Sequence, residues 1–299
     1  MSLLATSAAL GASTCWAFGS IVATEPSRRL GTFAVTRLQL IVAAPVLVTL
    51  VSAGTGWASV NFDAWPSILL SALVGVLLGN LALMACLKRG GPRRMQLLLS
   101  LSPLTTMFLS WIYLAETISL FQLIACLLTL SGIAIAVGMR GAKGSAASID
   151  GVSGSIASVI FFGTVAAFCQ GFGLIVLKPV MEAGTEPLVA SYLRTGLAAI
   201  VIFFAGLLPL ETLRPSTSLT PRLLFQAVVP GLLGYVVAVS LLLYGISIYH
   251  SGVVAVLGAT APVIMLPLLW LLGTRDLPPP AWVGAALTVT GTGVLLLLQ

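Results

Sequence analysis

The feature that most constrains this chain is a recurrence: apolar stretches of about 20 residues follow one another along its length, separated by short polar breaks. A hydrocarbon core about 30 Å thick takes about 20 helical residues to cross, so each stretch has the length of one membrane crossing. Five such spans occupy 3–22, 30–51, 65–87, 95–114 and 118–139, and five more occupy 156–177, 187–208, 223–246, 252–272 and 281–298. Only 7% of the 299 residues are charged and 59% are hydrophobic. Ordinary soluble domains carry roughly 25% charged residues, so this chain has too few polar side chains to cover a water-facing surface. The expectation is an all-α membrane protein of ten transmembrane helices.

Within the first half the breaks fall at Glu25 to Arg29, at a Gly/Asn/Asp stretch over 54–63, at Lys88 to Arg94 and at Glu116. The most polar stretch of all, 140–155, contains Gly141, Lys143, Gly144, Ser145 and Asp150, and reads as a linker. It divides the chain into a first five-helix unit, 1–139, and a second, 156–299. Loops after the first, third, fifth, seventh and ninth helices hold 11 of the 14 Lys and Arg residues, while the alternate loops hold only Lys178. By the positive-inside rule both termini lie outside the cytoplasm, in a bacterial inner membrane. These bases are scattered through short loops, not gathered in one stripe, which argues against a nucleic-acid partner. Arg28 is the first basic residue, so the opening apolar run lacks the flank of a cleaved signal and reads as a retained helix. Cys15, Cys86, Cys126 and Cys169 show neither pairing nor metal-ligand spacing, so free thiols are expected and no cofactor is called for. The sequence leaves the choice between monomer and dimer open.

The two halves repeat each other. Leu128-Thr129-Leu130-Ser131-Gly132 matches Leu287-Thr288-Val289-Thr290-Gly291 at an offset of 159 residues, and the same offset relates Pro103 to Pro262 and Trp111 to Trp270. Leu77-Leu78-Gly79 is matched by Leu232-Leu233-Gly234, and Arg37 by Arg194 with the offset slipping to 157. Five helices is an odd number, so the second unit enters the membrane upside down and the repeats are inverted, an arrangement typical of transporters.

With its two five-helix repeats, the Trp-Ala-Phe-Gly opening at Trp16 to Gly19, and Pro103 followed by Glu116, the chain resembles the drug/metabolite transporter superfamily over its whole length. Within that superfamily it is similar to the EamA-type ten-helix exporters, most of all to the YddG aromatic amino-acid exporters. The resemblance implies a central cavity between the repeats and an aromatic or neutral amino acid as cargo. One departure is Arg275-Asp276 where the first half has Glu116, so whatever Glu116 does is one-sided.

Alternating access needs a polar-lined cavity and helices that can bend. Pro103 and Pro262 each remove a backbone hydrogen bond inside a span, so with Gly79 and Gly234 they are hinge candidates, against the plain alternative of packing kinks. Trp16, Asn80, Ser100, Ser102, Gln170 and Tyr235 are polar or amphipathic at mid-span and are the candidate substrate-binding residues. For each the competing role is an interhelical hydrogen bond or ordinary aromatic packing. Arg37 and Arg194 lie about two turns inside their spans, where capping of helix ends by snorkelling is the first expectation and gating or binding of a substrate carboxylate the second. Every carboxylate falls in a loop or at a span end, which disfavours proton-coupled export of cationic drugs. His250, the single histidine, reads as a solvated turn residue. The leading function is therefore a secondary transporter or facilitator that exports amino acids or similar small metabolites by uniport. Export of other metabolites or cationic drugs is the alternative, followed by a polytopic membrane enzyme, which would gather His, Asp or Glu at an interface, and a receptor or scaffold.

Overall fold

The computed structural model describes residues 3–138, 155–209, 215–271 and 279–297, which are almost entirely helical and include no strand. Among the described residues ten main helical segments follow in order, with short helical turns such as Lys178–Glu182 between them. The first two are α1 (Leu3–Leu30) and α2 (Thr32–Ala53). Next, α3 spans 65–99, with a π-helical stretch at Ser71–Leu78 between α-helical Trp65–Leu70 and Gly79–Leu99. The first half closes with α4 (Ser102–Leu114) and α5 (Leu120–Gly138). Then come α6 (Ile156–Ile175), α7 (Pro187–Ala205) and α8, which spans 221–248 with a π-helical stretch at Leu232–Ala238. Last are α9, in two pieces at Ser251–Gly258 and Ala261–Leu271, and α10 (Pro279–Leu297). Six helical stretches among the described residues, Pro187–Ala205 and Pro221–Ile248 among them, are long and apolar enough to cross a membrane.

This multi-pass membrane protein is apolar on both sides of its helices. Phe108, Ile112, Phe121, Ile124, Phe203 and Phe204 all face outward, a surface that water would reject and lipid accepts. The repeated tryptophans Trp111 and Trp270 also point outward, at 63% and 54% exposure. Inward-facing positions are dominated by Ala, Gly, Ser, Thr, Val and Leu, the small and branched side chains that let helices approach closely where no hydrophobic effect drives them together.

The two halves meet as inverted repeats around a central cavity. Helix α3 packs on α6 as α8 packs on α1, and α2 lies against α7. The repeated Leu-Thr-x-x-Gly motifs form the seam between α5 and α10. Gly132 abuts Thr288 and Gly284, while Gly291, its equivalent, abuts Thr129 and Ala125, the equivalents of those two residues. Thr129 Oγ1 donates to the Ala125 carbonyl and Thr288 Oγ1 to the Gly284 carbonyl, both at 2.9 Å. A Cβ on either glycine would collide with the facing backbone, so only glycine permits this crossing. Helices α5 and α10 even share boundaries: 120–138 shifted by 159 residues is 279–297.

Three boundaries differ from the sequence expectation. The break placed at Glu25 to Arg29 does not occur there, because α1 continues through Pro26 to Leu30. A proline removes one hydrogen bond, whereas the Glu25–Arg29 ion pair, 2.6 Å at i,i+4 spacing, supports that turn. The chain turns instead at Gly31, whose φ of +85° suits only glycine. Across Lys88 to Arg94 the backbone is helical, yet the chain still reverses. Cys86 Sγ donates to the Val159 carbonyl, while Leu98 rests on Gly163 of the same helix α6. A straight helix would carry Leu98 about 18 Å beyond Cys86, past the start of α6. Finally, the expected proline breaks lie slightly upstream. Ser100-Leu101 and Ala259-Thr260 are the non-helical links, and Pro103 and Pro262 sit in the first turns of the helices that follow them.

Candidate functional site

The two links are the same structure built twice. Leu101 N–H donates to the Leu98 carbonyl at 3.1 Å and Thr105 N–H to the Leu101 carbonyl at 3.0 Å. Shifted by 159 residues, Thr260 N–H donates to Leu257 at 3.3 Å and Ile264 N–H to Thr260 at 3.1 Å. Proline at the start of a helix costs no hydrogen bond, so each broken span resumes at the earliest position where proline fits. Ser13 of α1 and Thr260 share a buried 2.8 Å hydrogen bond, which ties the second link to the first half.

Between the halves these breaks open onto a cavity with two chambers. The first, about 380 Å³, is walled by α1, α2, α3, α6, α7 and α8. The second, about 280 Å³, lies between α1, the end of α3, α4, α5, α6, α8 and α9. Trp16, Ser20, Leu99 and Gln170 line both. The first chamber alone falls in the ~300–1,000 Å³ range of small-molecule sites. Both π-helical stretches face it, through Gly75 and Val76 on α3 and through Gly234 and Tyr235 on α8. Insertions of this kind turn side chains away from their regular register and recur at ligand sites.

The cavity brings together most of the residues expected to matter. Trp16, Asn80, Gln170 and Tyr235 line the first chamber, joined by Gly79, Gly234 and Arg194. Ser100, Ser102, Pro103 and Pro262 line the second, with Trp16 and Gln170 shared. The indole of Trp16 lies against both Gly234 and Gly258, placing it at the junction of the chambers. Asn80, Tyr235 and Arg194 border the same chamber, so an amide, a phenol and a guanidinium share one lining.

The two arginines part company. Arg37 is outside both chambers; its Nη1 donates to the Gly206 carbonyl at 3.1 Å and caps the end of α7, as snorkelling predicts. Arg194 does not snorkel. It is only 5% exposed, because its neighbours Ser191, Thr195 and Ala198 are themselves buried, leaving it no lipid-facing route to an interface. Its Nη2 sits where a side chain on Gly75 would be, and a Cβ there would also strike Gly173 on α6. Gly75 therefore makes room for the guanidinium.

Opposite the arginine-rich loops, the connections after α4, α6 and α8 are joined by a polar cluster that sequence reasoning missed. Ala115, at φ 50°, ends α4 in the left-handed conformation, and Glu116 follows it. Glu116 Oε1 pairs with Lys178 Nζ at 2.5 Å and accepts from Ser251 Oγ at 3.0 Å, while Oε2 accepts from the Ser251 backbone N–H at 2.8 Å. Lys178 also donates to the Tyr249 carbonyl at 2.8 Å. Both charged side chains are more than nine-tenths buried, so these loop residues are not solvated. His250 is not free in its turn either; its Nδ1 is 4.0 Å from Glu116 Oε2 and its ring packs edge-on against Tyr249. Nothing in composition could reveal a pair separated by 62 residues. Gln39, Thr195 and Ser20 also line the cavity without having stood out, Thr195 beside Arg194 and Gln39 two residues from Arg37. The four cysteines are free.

Comparison with known proteins agrees with this architecture. The model of the EamA-like transporter family matches residues 3–138 and again 157–297. A solved crystal structure 19% identical in sequence superposes with a TM-score of 0.80, covering 98% of this chain and 96% of the other, and shows the same fold. No protein of curated function matches the chain.

Proposed function

The chain belongs to the EamA-like transporter family and is accordingly a transporter of small metabolites, and we propose that it exports aromatic or neutral amino acids by alternating access. The observation that carries this reading is the two-chambered cavity between inverted repeats. It sets Asn80, Gln170, Tyr235 and Arg194 around the first chamber and, past the Trp16 indole, Ser100 and Ser102 among Leu174, Leu242, Met265, Pro103 and Pro262 around the second. A zwitterion with an apolar side chain needs such a lining, hydrogen-bonding groups for its charged end and apolar surface for the rest.

The broken helices supply the moving parts. Links at Ser100-Leu101 and Ala259-Thr260 occupy equivalent places in the two halves, so tilting one against the other exchanges their roles. Opening toward the face away from the arginine-rich loops requires the Glu116–Lys178–Ser251 cluster to separate. Uniport is the mode we favour, since no carboxylate or histidine is among the described residues lining either chamber, and a proton-driven cycle needs such a relay. For the same reason a cationic drug is the poorer cargo, for it would meet Arg194 and no counter-ion.

The test is uptake of radiolabelled phenylalanine, tryptophan and leucine into proteoliposomes of the purified protein, with and without a pH gradient. Saturable, gradient-independent uptake of at least one is expected. Absence of all three overturns the amino-acid reading, and strict dependence on the gradient overturns uniport.

A further inference from the structure

We infer that Arg194 is the carboxylate anchor of the transport site, so that the protein selects its cargo by a carboxylate and treats the ammonium group as secondary; this rests on the amino-acid reading above. An arginine keeps its charge at any physiological pH, and a charge held away from water is costly unless something opposite meets it. Arg194 is 95% buried and borders the first chamber, yet no ion pair reaches it among the described residues. The described carboxylates are engaged or placed elsewhere. Glu25 faces Arg29, and Glu116 and Glu182 face Lys178. Asp63 lies in the exposed turn Phe62–Ala64, and Glu186 precedes α7 beside Gly56.

The described residues that line the chamber with Arg194 are all neutral. Tyr235, Asn80 and Thr195 line the same chamber, and Gly75 lies directly against the guanidinium. A hydroxyl and an amide can each donate one further hydrogen bond to an anion, whereas neither neutralises a cation. The guanidinium fork suits the two oxygens of a carboxylate, and such bidentate pairs are the strong ones. For an ammonium group the lining offers only neutral acceptors such as the Gln170 amide. The order of importance follows from this asymmetry: carboxylate first, apolar side chain second, ammonium last. Among ligands of one size, a deaminated acid is then a better competitor than the corresponding amide.

The decisive experiment uses the unmodified protein. Phenylalanine uptake into proteoliposomes is competed by 3-phenylpropanoate, which lacks the ammonium, and by phenylalaninamide, which lacks the carboxylate. The acid is expected to compete within about tenfold of phenylalanine itself and the amide at least ~10- to 100-fold more weakly, the range of a charge-assisted hydrogen-bonded pair. In parallel, R194Q should raise KM by a similar factor and erase the preference of acid over amide, and R194K, which keeps the charge and loses the fork, should fall between. A purely structural arginine would lower thermal stability in R194Q and leave that preference intact. If amide and acid compete equally, or the amide better, the anchor assignment falls while amino-acid transport stands. If no labelled amino acid moves at all, the underlying reading falls and takes the anchor with it.

Discussion

Arg37 and Arg194 stand 157 residues apart at matching places in α2 and α7, and the fold gives them different work. One reaches the end of a neighbouring helix and caps the Gly206 carbonyl; the other is enclosed beside the cavity. The contact between Gly75 and Gly173 has a similarly altered counterpart, for at the 155-residue offset of Gly79 and Gly234 the place of Gly75 is taken by Pro230, which lies against Gly19. Inverted repeats thus share a backbone plan while their side chains diverge at the centre. A symmetric scaffold can tilt both ways, and an unsymmetrical lining lets one molecule fit it in one orientation.

That contrast can be broken most forcefully at the two ion pairs. Glu116→Ala leaves the buried Lys178 with only the exposed Glu182, 3.9 Å away, as counter-charge, and a loss of about 3 kcal/mol is expected, the low end for a broken buried pair. Glu25→Ala removes an exposed pair on the opposite face and should change stability by no more than ~0.5 kcal/mol. Thermal or denaturant unfolding in detergent compares the two. If the pair is the cause, Lys178→Met added to Glu116→Ala restores part of the loss, a non-additivity that a double-mutant cycle reads directly.

Next come the arginines themselves. Arg194→Gln should reduce kcat/KM for phenylalanine about 10- to 100-fold, while Arg37→Gln should leave KM within about threefold and act through stability alone. Equal effects on transport would dissolve the distinction between the halves. At the seam the prediction is the reverse, since Gly132→Ala and Gly291→Ala meet equivalent backbone and should destabilise alike, by about 1–3 kcal/mol each. Pro103→Ala and Pro262→Ala should lower transport rate with little change in folded yield, and a variant pair that transports normally removes the broken spans from the mechanism. The smallest effects belong to the lipid-facing pair: Trp111→Ala and Trp270→Ala should each stay within about 0.5 kcal/mol and leave KM unchanged.

Much of this architecture was legible because membranes impose a length and repeats impose an offset. The Leu-Thr-x-x-Gly motifs and the paired prolines stood out as matches, and they mark the seam and the broken spans. The mid-span polar residues were legible as a set because lipid tolerates few of them. What escaped notice has physical reasons. The burial of Arg194 depends on the rotation of α7 about its axis, which a uniformly apolar span does not encode. The π-helical stretches change the hydrogen-bond partner by one residue and leave no compositional trace. Glu116 and Lys178 look like any loop charges until three connections converge on them. Even the misplaced first break is instructive, because Pro26 was the louder signal and Gly31 the decisive one.

The seam between α5 and α10 bears on the energy of the transport cycle itself. A contact in which Gly132 meets Thr288 as Gly291 meets Thr129 is its own mirror under exchange of the halves. Swapping their roles, as a full cycle does, leaves its energy unchanged, so it holds the molecule together and casts no vote between the two orientations. The vote belongs to whatever is present once. Glu116 and Lys178 form such a singular contact, and in the alternating-access cycle proposed above their pairing would set a resting bias for the cargo to outweigh.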